Sequence, residues 1–106
     1  MVDYKLFYMT CKNKVEANKI AYHLVKKDLV ACANIIPSVK SYFKWNKKKV
    51  NIIKESILIG KTMKKNMNKI IVHSKKISSY ECPCIVFVDI NNGNKDFLSW
   101  IKNSTK

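Results

Sequence analysis

Arginine is absent from this chain of 106 residues, glycine occurs only twice, and seven acidic residues stand against 21 lysines. Each shortage excludes something. So little glycine beside 47% apolar residues argues against a disordered or low-complexity chain. No phosphate-cradling glycine loop is present, no Ser/His/Asp or Cys/His pairing stands out, and the few carboxylates are scattered. The usual signatures of an enzyme are therefore missing. No apolar run approaches the length of a membrane span, and the opening MVDYKLFYMT lacks the basic-then-apolar layout of a secretion signal. The expectation is one domain over residues 1–106, cytoplasmic, with its four cysteines reduced and no membrane partner.

The net charge of +14 invites a nucleic-acid reading, because clustered cations gain affinity by releasing phosphate counterions. The basic residues are all lysine, accompanied by eleven asparagines, and Lys, Asn and Ile share A/T-rich codons. The lysines are also dispersed, as Lys26–Lys27, Lys64–Lys65, Lys75–Lys76 and the triplet Lys47–Lys49. A solvated lysine surface is the simpler reading, and no nucleic-acid partner is expected.

Tyr4 to Thr10 reads as a strand. Asn13 with Glu16 three residues on resembles a capping box, and Ala17, Ile20, Ala21, Leu24 and Val25 then mark one face of a helix ending near Lys26–Asp28. From Ala31 to Trp45 the chain is extended. Val39, Ser41, Phe43 and Trp45 alternate there with Lys40, Tyr42 and Lys44, which is strand periodicity. Asn46–Lys48 reads as a turn and Lys49 to Thr62 as a second long strand. A second helix is expected from Thr62 as cap, with Met63, Met67, Ile70, Ile71 and Ser74 on one face. Pro83 to Ile90 follows as an apolar strand, and Asp96 to Lys102 as a terminal helix. The order βαββαβ plus a C-terminal helix predicts an α+β, ferredoxin-like antiparallel sheet with both main helices on one face.

The extended segment is long for so small a chain. Fifteen strand residues span on the order of 50 Å, whereas a compact domain of this length is only about 33 Å across. A projecting hairpin arm follows, bent near Pro37. It carries Tyr42, Phe43, Trp45, Ile52 and Ile53, and one sheet face is left without helices. Both features predict a homo-oligomer.

Several pieces match a known pattern: ACANIIP (31–37), SYFKW (41–45), ESILIGKT (55–62), YECPCI (80–85) and GNKDFLSWI (93–101). In these the chain resembles the CutA family of divalent-cation tolerance proteins. That resemblance implies a homotrimer with sheets packed around a threefold axis and long hairpins reaching neighbouring subunits. It also implies a non-enzymatic role in divalent-metal tolerance with copper as a ligand. Animal members are associated with anchoring a membrane enzyme.

Soft copper prefers thiolate, thioether or imidazole ligands, and Met9, Cys11, Cys32, His73, Cys82 and Cys84 supply them here. Positions aligned with Met9, Cys32 and His73 carry sulfur ligands in some bacterial relatives. Cys32, between two alanines, fits a small buried hydrophobe more simply than a ligand. Cys82 and Cys84, read as i and i+2 on a strand, would face one ion or oxidise reversibly. The family's His-Pro pair is replaced by Ser78 and Ser79, and its glutamate after the proline by Cys84. His23 and His73 are expected to be solvated, and Asn34 to be a buried amide bonded to backbone. An intersubunit cleft lined by Lys61, Tyr80, Glu81 and Lys95 offers the alternative of a small-molecule sensor. Tyr42, Phe43, Trp45 and Trp100 are the expected trimer-interface residues. A copper chaperone sharing the fold is disfavoured because Met9-Thr10-Cys11 lacks the second cysteine. An RNA-recognition module is disfavoured because VNIIKESILIGKT lacks the aromatic-glycine motif.

Overall fold

A computed structural model describes residues 3–106. Strands β1 (Tyr4–Cys11), β2 (Cys32–Phe43), β3 (Asn51–Met63) and β4 (Ile85–Asp89) form one antiparallel sheet in the order β2-β3-β1-β4. Helices α1 (Lys14–Lys26), α2 (Met67–Ile77) and α3 (Lys95–Asn103) complete the chain, α2 being preceded by a 3₁₀ turn at Lys64–Asn66. This is the expected α+β, ferredoxin-like arrangement.

β1 is central, and its alternation sets the layers. Phe7, Met9 and Cys11 are fully buried on one face, while Tyr4, Leu6, Tyr8 and Thr10 on the other are half-exposed. The buried set meets Ala17, Ile20 and Leu24 of α1 and Ile70 of α2, joined by Ala33, Ile35, Leu58, Ile85 and Phe87 from the neighbouring strands. Burial of these side chains, worth roughly 1.5–3 kcal/mol for each fully buried large apolar one, holds both helices on one face. α3 packs across β1 and β3 and buries only Ile101 completely.

Local chemistry explains the boundaries. The Asn13 side chain accepts from the Glu16 N–H at 2.9 Å and starts α1 as predicted. Thr62 is not a helix cap. It ends β3, where its hydroxyl donates to the Leu29 carbonyl at 2.6 Å and ties the strand to the turn after α1. α2 therefore starts at Met67, after the 3₁₀ turn. Its N-cap, Asn66, makes no side-chain capping bond. β4 is shorter than expected, because residues 78–84 run irregularly before it.

The outer hairpin is the distinctive element. β1 pairs with β3 only as far as Cys11↔Ser56, whereas β2 and β3 continue to pair from Val39↔Glu55 to Phe43↔Asn51. Those last rungs form a two-stranded arm. A bulge lies at its base: between Ile36↔Ile57 and Val39↔Glu55 β2 advances three residues against two, with Ser38 at φ 59°. The arm closes at Trp45–Lys48, where Asn46 and Lys47 both adopt positive φ and the Lys48 N–H donates to the Trp45 carbonyl, the pattern of a type I′ turn. With extents of 45 × 25 × 22 Å the molecule is elongated, as the strand-length argument requires.

The sheet face away from α1 and α2 is apolar. Val86 and Val88 of β4 and Ile36 of β2 are 47%, 54% and 44% exposed, beside Leu6, Tyr8, Ile57 and Ile59. On the helix-covered face Gly60 marks a close approach. A Cβ there would lie 3.1 Å from Phe7 Cδ2 and 3.3 Å from Val30 Cγ1. Gly60→Ala is accordingly expected to overpack this layer and cost about 1–3 kcal/mol, read from the denaturant midpoint at fixed protein concentration.

Candidate functional site

The site is built where the arm leaves the sheet. Glu55 is the first β3 residue beyond the last β1 rung, and it is buried, 8% exposed. A buried carboxylate needs a donor, and the Tyr80 hydroxyl supplies it, donating to Glu55 Oε2 at 2.6 Å. Tyr80 stands on the irregular segment 78–84, which three further bonds fix. The Ser79 N–H donates to Glu16 Oε1 at 3.1 Å, the Tyr80 N–H to Ser78 Oγ at 3.1 Å, and the Thr10 N–H to the Cys84 carbonyl at 3.4 Å. Burial, reinforced by the bond to Glu55, pushes the Tyr80 phenol far above its usual range. It stays neutral and acts as a donor.

These elements enclose a cleft of about 680 Å³, within the usual range for small-ligand sites. The arm provides Ser41, Tyr42, Phe43, Lys44 and Trp45 on one side, with Phe43 and Trp45 in edge contact at 5.7 Å and 72°. Tyr80, Glu81, Cys82 and Cys84 form the opposite wall, and Thr10, Ile53 and Glu55 the floor.

Of the residues singled out in the sequence, Tyr80, Glu81, Cys82, Cys84, Tyr42, Phe43 and Trp45 meet here. Cys82 and Cys84 are exposed but precede β4, so strand alternation is not what turns both to the cleft. Lys61 and Lys95 do not line it. Lys61 lies two rungs from the other end of β3 and its ammonium donates to Asn34 Oδ1, while Lys95 opens α3. Asn34 is exposed rather than buried, because it faces the uncovered side of β2. Trp100 lies far along the chain on α3, half-exposed and stacked near Phe97 at 5.5 Å.

Met9, Cys32 and His73 do not converge. Met9 points under the helices and is fully buried, whereas Cys32, level with Lys61 and Leu6, faces the uncovered side. His73 is not free in solvent either: its Nδ1 lies 2.8 Å from His23 Nε2 across the α1–α2 seam. Among the described residues no group of three or more His, Cys, Asp or Glu side chains is placed to hold a metal ion. The Glu55–Tyr80 bond was missed by sequence reasoning. Its partners are 25 positions apart and no local spacing joins them.

Cys11 is sealed in the core. Burial first, then the nearby Glu16 and Glu55 carboxylates, pushes its thiol from 9.0 up to about 12. The folded state holds this proton while the unfolded chain releases it near pH 9, so this contribution to stability is lost as pH rises from about 9 to about 12. Thermal unfolding between about pH 8 and about pH 10.5 should decline more steeply for the parent than for Cys11→Ala. At about pH 8 an alkylating reagent should label Cys82 and Cys84 in the native protein and Cys11 only after unfolding. Tyr80→Phe leaves Glu55 buried without its donor and should cost about 1–3 kcal/mol in denaturant unfolding.

Comparison with known proteins places this geometry. Residues 5–104 match the family described as CutA1 divalent ion tolerance protein. The divalent-cation tolerance protein CutA of Archaeoglobus fulgidus is 35% identical over 103 residues, covering 97% of this chain and 99% of that one. The chloroplastic CutA 1 of Oryza sativa is 33% identical over 93% of this chain. The chain spans 55% of that relative's length and 54% of its Arabidopsis thaliana counterpart. The crystal structure of CutA1 from Oryza sativa superposes with a TM-score of 0.93 at 32% identity, covering 99% of this chain and 95% of that one. The divalent cation tolerance protein of Thermus thermophilus gives 0.94 at 30%, covering 97% and 99%. From first strand to last helix, this chain belongs to the CutA1 family of divalent-ion tolerance proteins.

Proposed function

We propose that the protein is a non-catalytic homotrimer in divalent-metal tolerance, its arm-base cleft taking up copper or another soft metal through Cys82 and Cys84. The observation that carries this reading is the paired placement of two exposed thiols on the wall of a preformed cleft, in a chain whose relatives are named for cation tolerance. Thiolates are the ligands that soft metals select. Glu81 beside them is a weaker oxygen donor, and Cys32, half-buried at the other end of the β2–β3 pairing, does not line the cleft. The metal is exchangeable rather than a resident cofactor, since two cysteines leave coordination positions open.

Trimerisation rests on the uncovered apolar face and the exposed Trp45 and Tyr42 of the arm. Both would be covered by further copies, with three sheets closing around an axis. A reducing compartment such as the cytosol suits four unpaired cysteines. Relatives differ here, the plant proteins being chloroplastic and an archaeal one being described as periplasmic. No described helix is long and apolar enough to cross a membrane. A second reading, a small-molecule sensor, is favoured by the aromatic lining of the cleft and the Glu55–Tyr80 bond at its floor.

Native mass spectrometry of the reduced protein should give three times 12.3 kDa, and a Val86→Asp/Val88→Asp variant should dissociate to smaller species. Anaerobic Cu(I) titration should show binding that Cys82→Ser/Cys84→Ser abolishes and Cys32→Ser leaves intact. Copper binding that survives the double substitution would overturn the cleft assignment. A monomeric parent would overturn the trimer.

A further inference from the structure

The seam between α1 and α2 holds a side-chain pair for which the cleft has no use. His23 Nε2 and His73 Nδ1 are 2.8 Å apart, with ring centroids 5.0 Å apart and planes at 34°. The centroid separation exceeds the nitrogen separation by nearly the full reach of two imidazole rings, so the rings meet nearly end-on. The lone pair of an imidazole nitrogen lies in the ring plane and points outward. Both are therefore aimed at one position between the helices.

Such a bond needs at least one imidazole unprotonated at its facing nitrogen. Desolvation holds His73 below its ordinary 6.5, helped by His23 and by the ammonium groups of Lys76, Lys27 and Lys106. At neutral pH its ring is uncharged, the state in which histidine binds metals.

We propose that His23 and His73 form a two-histidine site for a borderline transition-metal dication such as Zn²⁺, which clips α1 to α2. Metal–nitrogen bonds of about 2.0–2.1 Å at a tetrahedral angle place two nitrogens roughly 3.4 Å apart. To reach that geometry the pair must open by about 0.6 Å from its hydrogen-bonded spacing and its ring axes, now nearly in line, must tilt toward the tetrahedral angle; half-buried rings on a helix surface do both by side-chain rotation. The imidazole whose proton lies in the bridge moves it to its other nitrogen, so two neutral rings bind the ion with no net proton loss. Water fills the remaining positions.

The surroundings select the class of ion. The ammonium groups of Lys27, Lys76 and Lys106 nearby oppose a cation held by charge alone. Hard Ca²⁺ and Mg²⁺, which bind through anionic oxygen, are disfavoured. Ions that bond strongly to imidazole nitrogen are accepted. The seam lies on the opposite side of the sheet from the cleft, so this site stands whatever the cleft binds.

The test is calorimetric titration of the Cys82→Ser/Cys84→Ser protein with ZnCl₂ at about pH 7.5, with the exposed thiols removed as competitors. One Zn²⁺ per chain is expected, with His23→Gln and His73→Gln each weakening binding at least tenfold and MgCl₂ giving no heat. The imidazole proton resonances of both histidines should shift together in the background protein on adding Zn²⁺, a readout that does not depend on the variants folding. Affinity unchanged in either histidine variant, or resonances that stay in place, would overturn the proposal. Loss of Cu(I) binding at the cleft would leave it untouched.

Discussion

The arrangement depends on where β1 stops. As far as Cys11↔Ser56 the β3 strand has neighbours on both sides; one residue further toward the arm, at Glu55, it has only β2. A two-stranded ribbon by itself is marginally stable in water. The arm persists because other contacts take over from the missing strand: a bulge at its base, a tight turn at its tip, the Phe43–Trp45 edge contact, and the segment 78–84 bound to Glu55. The cleft is the space left between this support and the arm. Fold and site thus have one cause, a central strand shorter than its partner.

Much of this was legible in the sequence because it rests on local periodicity. The 3.6-residue spacing of Ala17, Ile20, Ala21 and Leu24 located α1, and strand length alone showed that the hairpin must project. The expectation of Met9 as a ligand overlooked its parity: Phe7, Met9 and Cys11 alternate together, so any face that buries Phe7 buries all three. What the sequence could not show depends on how distant elements are rotated. Glu55 meets Tyr80 only because an irregular segment is held by Glu16 and Thr10. His23 meets His73 only because two helices lie side by side at one rotation. Thr62 looked like a cap because threonine precedes a helical pattern, yet the 3₁₀ turn separates it from α2 and the Leu29 carbonyl claims its hydroxyl.

Thiol chemistry divides along the same architecture. Cys11 is chemically silent because the helices cover it and two carboxylates oppose its ionisation. Cys82 and Cys84 lie where the backbone has left regular structure, so their sulfurs are accessible. One residue type serves here both as core filling and as surface nucleophile, the difference being set by the layer in which each lies.

The bulge at Pro37–Ser38 has a bearing on how the chain can vary over evolutionary time. Before it, even-numbered β2 residues such as Asn34 and Ile36 face the uncovered side; after it, odd-numbered ones such as Ser41 and Phe43 do. Gain or loss of a single residue there would exchange the two sets, turning Lys40 inward where Ser41 now lines the cleft. Insertions and deletions in this segment are therefore constrained in multiples of two, so that its length is read as strictly as the identity of its residues.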